Sequence, residues 1–183
     1  MAIRGHITVG ELLLGEYQVL KEEQRARIGF RDNLLYASLG SMAAVVAAVI
    51  GGGPHLQLLL LLPPVSLLLG WTYLVNDQKI SAIGRYIREE LTPRLTALTD
   101  SQESEPIFGW ETVHRSDRRR TSRKWLQFAV DLLTFCGTSM AAVVVFWAMG
   151  PVEVALLTVS LAEVAGIIVL AVQIALYAEL RTT

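Results

Sequence analysis

The sequence predicts an all-α, polytopic membrane protein with four transmembrane helices arranged as two tandem helical hairpins. Three observations carry this expectation. Hydrophobic residues make up 52% of the 183, and mean hydropathy is +0.44. Charged residues are only 18% of the chain and are gathered into a few stretches, leaving two long apolar blocks. Each block is about twice the roughly 20 residues that one spanning helix needs, with a helix breaker near its middle. Helices of a soluble core would carry a polar face, and these largely do not.

The elements follow in order. Glu11 and Glu16 enclose only a short apolar run, too short for the apolar core of a secretory signal, so the first 30 residues are expected to stay attached and outside the bilayer. Thr8-Val9-Gly10-Glu11 fits a capping box. Leu13, Tyr17 and Leu20 then recur at helical spacing, which predicts an amphipathic cytoplasmic helix from about Thr8 to Arg31. The first hairpin pairs Leu34–Ile50 with Leu58–Val75 across a tip built on Gly51, Gly52, Gly53 and Pro54. Pro63 and Pro64 are expected to kink its second span, because proline lacks the amide donor and its ring crowds the preceding turn. A second amphipathic helix spans Asp77 to Leu91 through Ile80, Ile83 and Ile87, until Pro93 disturbs it. Its apolar face is expected to pack on that of the first. Thr99 to Thr112 reads as an acidic loop broken by Pro106 and Gly109. The second hairpin pairs Trp125–Met149 with Val154–Tyr177 across Gly150 and Pro151. The domain organisation is therefore 1–98 for the cytoplasmic helix, first hairpin and helical extension, 99–124 for the loop and basic segment, and 125–183 for the second hairpin.

All 16 lysines and arginines lie before the first span, between the hairpins or after the last span, and the two tips carry none. The positive-inside rule then puts both termini and the central loop in the cytoplasm, with the chain in the cell (inner) membrane. The hairpins also resemble each other. Ser41-Met42-Ala43-Ala44-Val45-Val46 recurs 98 residues later as Ser139-Met140-Ala141-Ala142-Val143-Val144, and Val65-Ser66-Leu67 recurs as Val159-Ser160-Leu161. Both copies would enter from the same side, a parallel repeat.

No residue set points to catalysis. The three histidines fall in separate segments, Cys136 is the only cysteine, and Gly51 to Gly53 lacks the lysine that a phosphate-cradling loop needs. An enzyme, a metal and a cofactor are not expected. Arg115, Arg118, Arg119, Arg120, Arg123 and Lys124 lead directly into Trp125. Such a stretch beside a span is drawn to anionic lipid headgroups, so membrane lipids and not nucleic acid are the expected partner. Gly40, Ala44 and Ala48 form a small-residue ridge, which allows close helix contact within one hairpin or between subunits of a homo-oligomer. Asp131 and Glu163 are ionisable groups inside predicted spans, where such groups face protein or water. Thr134 and Thr138 continue the Asp131 face, and Ser160, Gly166 and Gln173 continue that of Glu163. The two faces suggest either a wet seam or hydrogen-bonded glue. Thr138 or Ser139 is the expected neighbour of Glu163, and Gln173 that of Asp131.

Glu16 to Leu91 contains a charged helix ending Lys21-Glu22-Glu23-Gln24-Arg25-Ala26-Arg27-Ile28-Gly29-Phe30-Arg31-Asp32, then a two-span hairpin, then an amphipathic helix. This layout resembles the two-helix membrane modules of bacterial conflict systems, of the SLATT-like or TRADD-N-associated type. The resemblance implies an oligomeric channel or membrane-perturbing effector. It covers the first half of the chain, and the second hairpin lies outside it. The residues by themselves leave two other functions open: a scaffold that recruits a cytoplasmic protein partner, and a small proton-coupled transporter using Glu163.

Overall fold

A computed structural model describes residues 7–52, 55–98, 120–151 and 153–180. The chain is all-helical, 94% helix with no strand among the described residues. Four helical runs are long and apolar enough to cross a membrane: Val9–Gly51, Leu56–Ala97, Trp125–Met149 and Val154–Ala178.

Helix α1 (Val9–Gly51) is a single run of 43 residues. The Thr8 amide donates to Glu11 Oε2 at 2.8 Å, and the Glu11 amide donates back to Thr8 Oγ1 at 3.3 Å. This reciprocal pair starts the helix. The bond from the Thr8 backbone, and then that from its side chain, hold the Glu11 carboxyl below its ordinary range. No proline occurs before residue 54, so nothing interrupts the helix where the charged segment passes into the apolar one. Shielded positions recur at three- and four-residue spacing along it: Leu13, Tyr17, Leu20, Gln24 and Arg27, then Leu34, Ser38, Ser41, Val45 and Val49. That spacing is the repeat that keeps one face of a long helix against a partner.

Pro63 and Pro93 each follow a change of helix type. The sequence reading puts Pro63 and Pro64 inside a span as a kink. In the structure the residues Leu56–Leu61 form a 3-10 helix, and α2 (Leu62–Tyr86) begins at the prolines. An α-helix continuing through them would drive the two rings against the Leu59 and Leu60 carbonyls. The 3-10 turn avoids this, with the Leu62 amide closing on Leu59. Farther on, Ile87–Leu91 widens into a π-helix before α3 (Thr92–Ala97). There the Thr92 amide and hydroxyl both donate to the Ile87 carbonyl, the hydroxyl at 2.8 Å. The regular α-helix is thus disturbed ahead of Pro93, as the sequence pattern suggests, and helical structure resumes through Thr92–Ala97.

The remaining elements are α4 (Arg120–Leu132), a π-helical turn at Leu133–Gly137, α5 (Thr138–Met149) and α6 (Val154–Leu180). Two helix ends close alike. The Gly52 amide donates to the Ala48 carbonyl at 3.0 Å, and the Gly150 amide to the Phe146 carbonyl at 2.7 Å. A Cβ at Gly52 would lie 2.8 Å from that carbonyl oxygen, and one at Gly150 would lie 2.5 Å from its own. Both closures need glycine, and they stand 98 residues apart, the spacing of the Ser-Met-Ala-Ala-Val-Val repeat.

Two compact units result, Met1–Phe30 with Asn76–Arg120, and Arg31–Val75 with Thr121–Thr183. In the first, polar bonds tie α1 to α2 in antiparallel order. Tyr86 donates to Glu16 at 2.7 Å, Gln24 to the Ile80 carbonyl at 3.4 Å, and Asn76 to the Arg27 carbonyl at 2.7 Å. The Glu16 carboxylate stabilises the Tyr86 proton and so raises the phenol's pKa. Ile87 and Leu91 are wholly buried here. In the second unit, Leu34, Tyr73, Leu74, Phe135, Cys136, Ile167, Leu170 and Ile174 form one apolar cluster. The Tyr73 and Phe135 rings meet at 5.2 Å with a 46° tilt. Smaller clusters join Leu59 and Leu62 to Ala142, and Leu60 to Val143 and Phe146.

Candidate functional site

The polar groups singled out in the sequence fall at two places in the second unit. One is built around Asp131. Gln127, one turn earlier on α4, donates to Asp131 Oδ1 at 2.7 Å and to the buried Tyr73 hydroxyl at 2.7 Å. An amide nitrogen carries two protons, so Gln127 can serve both oxygens at once. Asp131 is thus linked through Gln127 to α2. Sequence reasoning placed Gln173 near the level of Asp131 and did not foresee the bonds from Gln127 or the link to Tyr73. The i, i+4 spacing of Gln127 and Asp131 was the available signal. Thr134 and Thr138 do not extend this network outward. Their positions fall on and just after the π-helical turn, and Thr138 Oγ1 donates to the Thr134 carbonyl at 2.6 Å.

The second place is α6. Its buried stripe runs Ser160, Glu163, Ile167, Leu170 and Ile174, so Glu163 occupies a core position between a serine and an isoleucine. Ser160 is fully buried. It accepts from the Trp147 indole at 2.8 Å and donates to the Leu157 carbonyl at 2.9 Å, which joins α5 to α6. One turn beyond Glu163, the Cys136 thiol lies 3.9 Å from the Ile167 carbonyl. Glu163 is 9% exposed, and its Oε2 is inaccessible and has no hydrogen-bond partner. Gln173 is half-buried beside the stripe, which passes through Ile174 instead. Gly166 lies against Leu67 of α2, where a Cβ would come within 2.7 Å of a Leu67 methyl.

The other sequence candidates are placed as follows. Gly40, Ala44 and Ala48 are all exposed on α1, and among the described residues nothing beyond the helix's own backbone comes within 4 Å of a Cβ added at Gly40. Arg115, Arg118 and Arg119 lie outside the described residues, as do the side chains of Arg120, Arg123 and Lys124 and the acidic loop. Among the described residues no group of three or more histidine, cysteine or carboxylate side chains could hold a metal ion.

Comparison with known protein families, curated proteins and solved structures finds no match to this chain.

Proposed function

We propose that the protein is an oligomeric membrane channel or membrane-perturbing module whose copies meet along α1. In this reading the four apolar runs insert as two tandem hairpins in the inner membrane, with both termini cytoplasmic. The basic segment Arg115 to Lys124 then lies on lipid headgroups. The observation that carries the reading is the exposure of the Gly40, Ala44 and Ala48 ridge. Within the apolar window of α1 only 11% of residues are buried, against 44%, 33% and 17% for the windows of the other three runs in chain order. In a bilayer, lipid tails are as apolar as leucine, so close backbone packing and not hydrophobicity brings helices together. A small-residue ridge left exposed among the described residues suits a second copy of the chain. The layout shared with SLATT-like modules points the same way.

The test is particle mass in detergent, followed by ion flux from vesicles. Wild type should form a discrete oligomer and release ions, and Gly40→Leu should shift the particle toward the monomer and abolish release. A monomeric wild type without flux would defeat the proposal. It would favour a scaffold instead, a reading supported by Val9, Leu12, Val19 and Phe30, which are exposed on the part of α1 belonging to the first unit. Exposed apolar side chains in water mark protein contact sites.

A further inference from the structure

Glu163 stands on the apolar stripe of α6 with Oε2 buried and unpartnered, and the hydroxyl and thiol donors of α5 and α6 nearest its level give their protons to backbone carbonyls. Its level along the helix lies between the Trp147–Ser160 bond and the Cys136–Ile167 contact. The Ser160 proton goes to the Leu157 carbonyl, the Ser139 proton to Phe135 at 3.1 Å, and the Thr138 proton to Thr134. The thiol of Cys136 is directed to Ile167. A hydroxyl has one proton but two lone pairs, so these groups can accept a hydrogen bond from a carboxylic acid but cannot give one to a carboxylate. The other described ionisable groups of this unit do not compensate. Asp131 takes its bond from Gln127, Tyr73 lies at the Gln127 end of the cluster, and Arg31 is paired with Asp32. Tyr177 packs against the Ile174 end of the cluster, Tyr36 is exposed, and His55 and Glu153 lie in the connections between helices. A bare carboxylate in such surroundings is far costlier than a neutral acid.

We propose that Glu163 is a proton-binding site: the folded unit holds it as a carboxylic acid, and the bound proton is the ligand that completes the site. This rests on the membrane-embedded reading of the unit, and not on conduction or assembly.

An apolar carbodiimide, dicyclohexylcarbodiimide, reads the state directly. It reacts with a carboxylic acid in apolar surroundings. The acid proton moves to a carbodiimide nitrogen while the carboxyl oxygen bonds to the central carbon. The acyl group then migrates from oxygen to nitrogen, leaving a stable N-acylurea with no leaving group. With the full-length protein in lipid vesicles, mass spectrometry should find an adduct on the Glu163 peptide and none at Asp131. Above the pH at which the site empties, the rate should fall roughly tenfold per pH unit, following the protonated fraction. Glu163→Gln should lose the adduct. A water-soluble carbodiimide should spare Glu163. Infrared spectroscopy of the wild type provides a check that needs no variant, a carboxylic-acid carbonyl band that shifts in heavy water. Absence of that band, absence of the Glu163 adduct at every pH, or a labelling rate indifferent to pH would each overturn the proposal. Flux that fails while labelling succeeds would count against the channel reading alone.

Discussion

Polar residues in this chain are mostly satisfied locally, by backbone within one turn or by a neighbour one turn away. Ser38, Ser41, Thr72, Thr138, Ser139 and Thr158 each donate to the carbonyl four residues back. This is how a hydroxyl is carried in an apolar helix without a cross-chain partner. Glu11 is satisfied by Thr8, and there the consequence is a dependence on pH. The folded-state pKa is depressed, so the stabilisation of the first turn is fully present above the unfolded carboxyl value of about 4.3 and is lost as pH falls through the folded value. The protection of the first-turn amides of α1, measured as exchange corrected for its intrinsic pH dependence, should therefore fall on acidification in the wild type. In Glu11→Gln that protection should be lower at neutral pH and nearly independent of pH. Equal pH profiles for the two proteins would show that the capping box does not hold the start of the helix.

At the level of elements, the chain changes helix type wherever a regular α-helix would meet a conflict. The 3-10 turn lies just ahead of Pro63, and the π-helix at Ile87–Leu91 just ahead of Pro93. The π-helical turn at Leu133–Gly137 has no proline to answer, and nothing in the structure explains it beyond the burial of Phe135 and Cys136 within it. The glycine closures at the ends of α1 and α5 differ in how tightly they are held. At Gly150 a Cβ meets the Phe146 carbonyl oxygen at 2.5 Å and the Phe146 ring at 2.6 Å, whereas at Gly52 the close atom is the Ala48 carbonyl oxygen alone. Gly150→Ala should therefore destabilise by about 1–3 kcal/mol through forced displacement of packed atoms, and Gly52→Ala by less. Unfolding in mixed micelles measures both. A larger loss for Gly52→Ala would contradict the packing seen at Phe146.

For the whole molecule, the consequence to check is sidedness. The confinement of basic residues to three segments predicts that a cysteine probe at His55 reacts with an impermeant reagent from outside the cell, and one at Ser116 does not. The background is favourable, since the single native cysteine, Cys136, is buried. Labelling at Ser116 in intact cells would overturn the proposed topology and with it the lipid role of the basic segment. The repeated sequences bear on the molecule in a different way. Ser66 and Ser160, equivalent by the Val-Ser-Leu match, are both buried, but Ser41 is only half-shielded where Ser139 is wholly buried. Two near-identical segments have taken unequal places, one peripheral and one central.

The all-helical class and the four apolar runs were legible in the sequence because both rest on local quantities: hydropathy over some 20 residues and the spacing of breakers. The capping box at Thr8 and Glu11 was legible for the same reason, being a contact across three residues. The continuity of α1 was obscured by its change from charged to apolar composition, although hydrogen bonding along a helix is indifferent to that change. Tertiary packing decided the rest. Which face of α1 is left open, that Gln127 links Asp131 to Tyr73, and that Glu163 Oε2 stands in the core without a donor all depend on how helices rotate against one another. A single sequence constrains that rotation weakly where nearly every side chain is apolar, because almost any face can be buried. It was settled by particular contacts: Trp147 on Ser160, Tyr73 on Phe135, and Leu67 on Gly166.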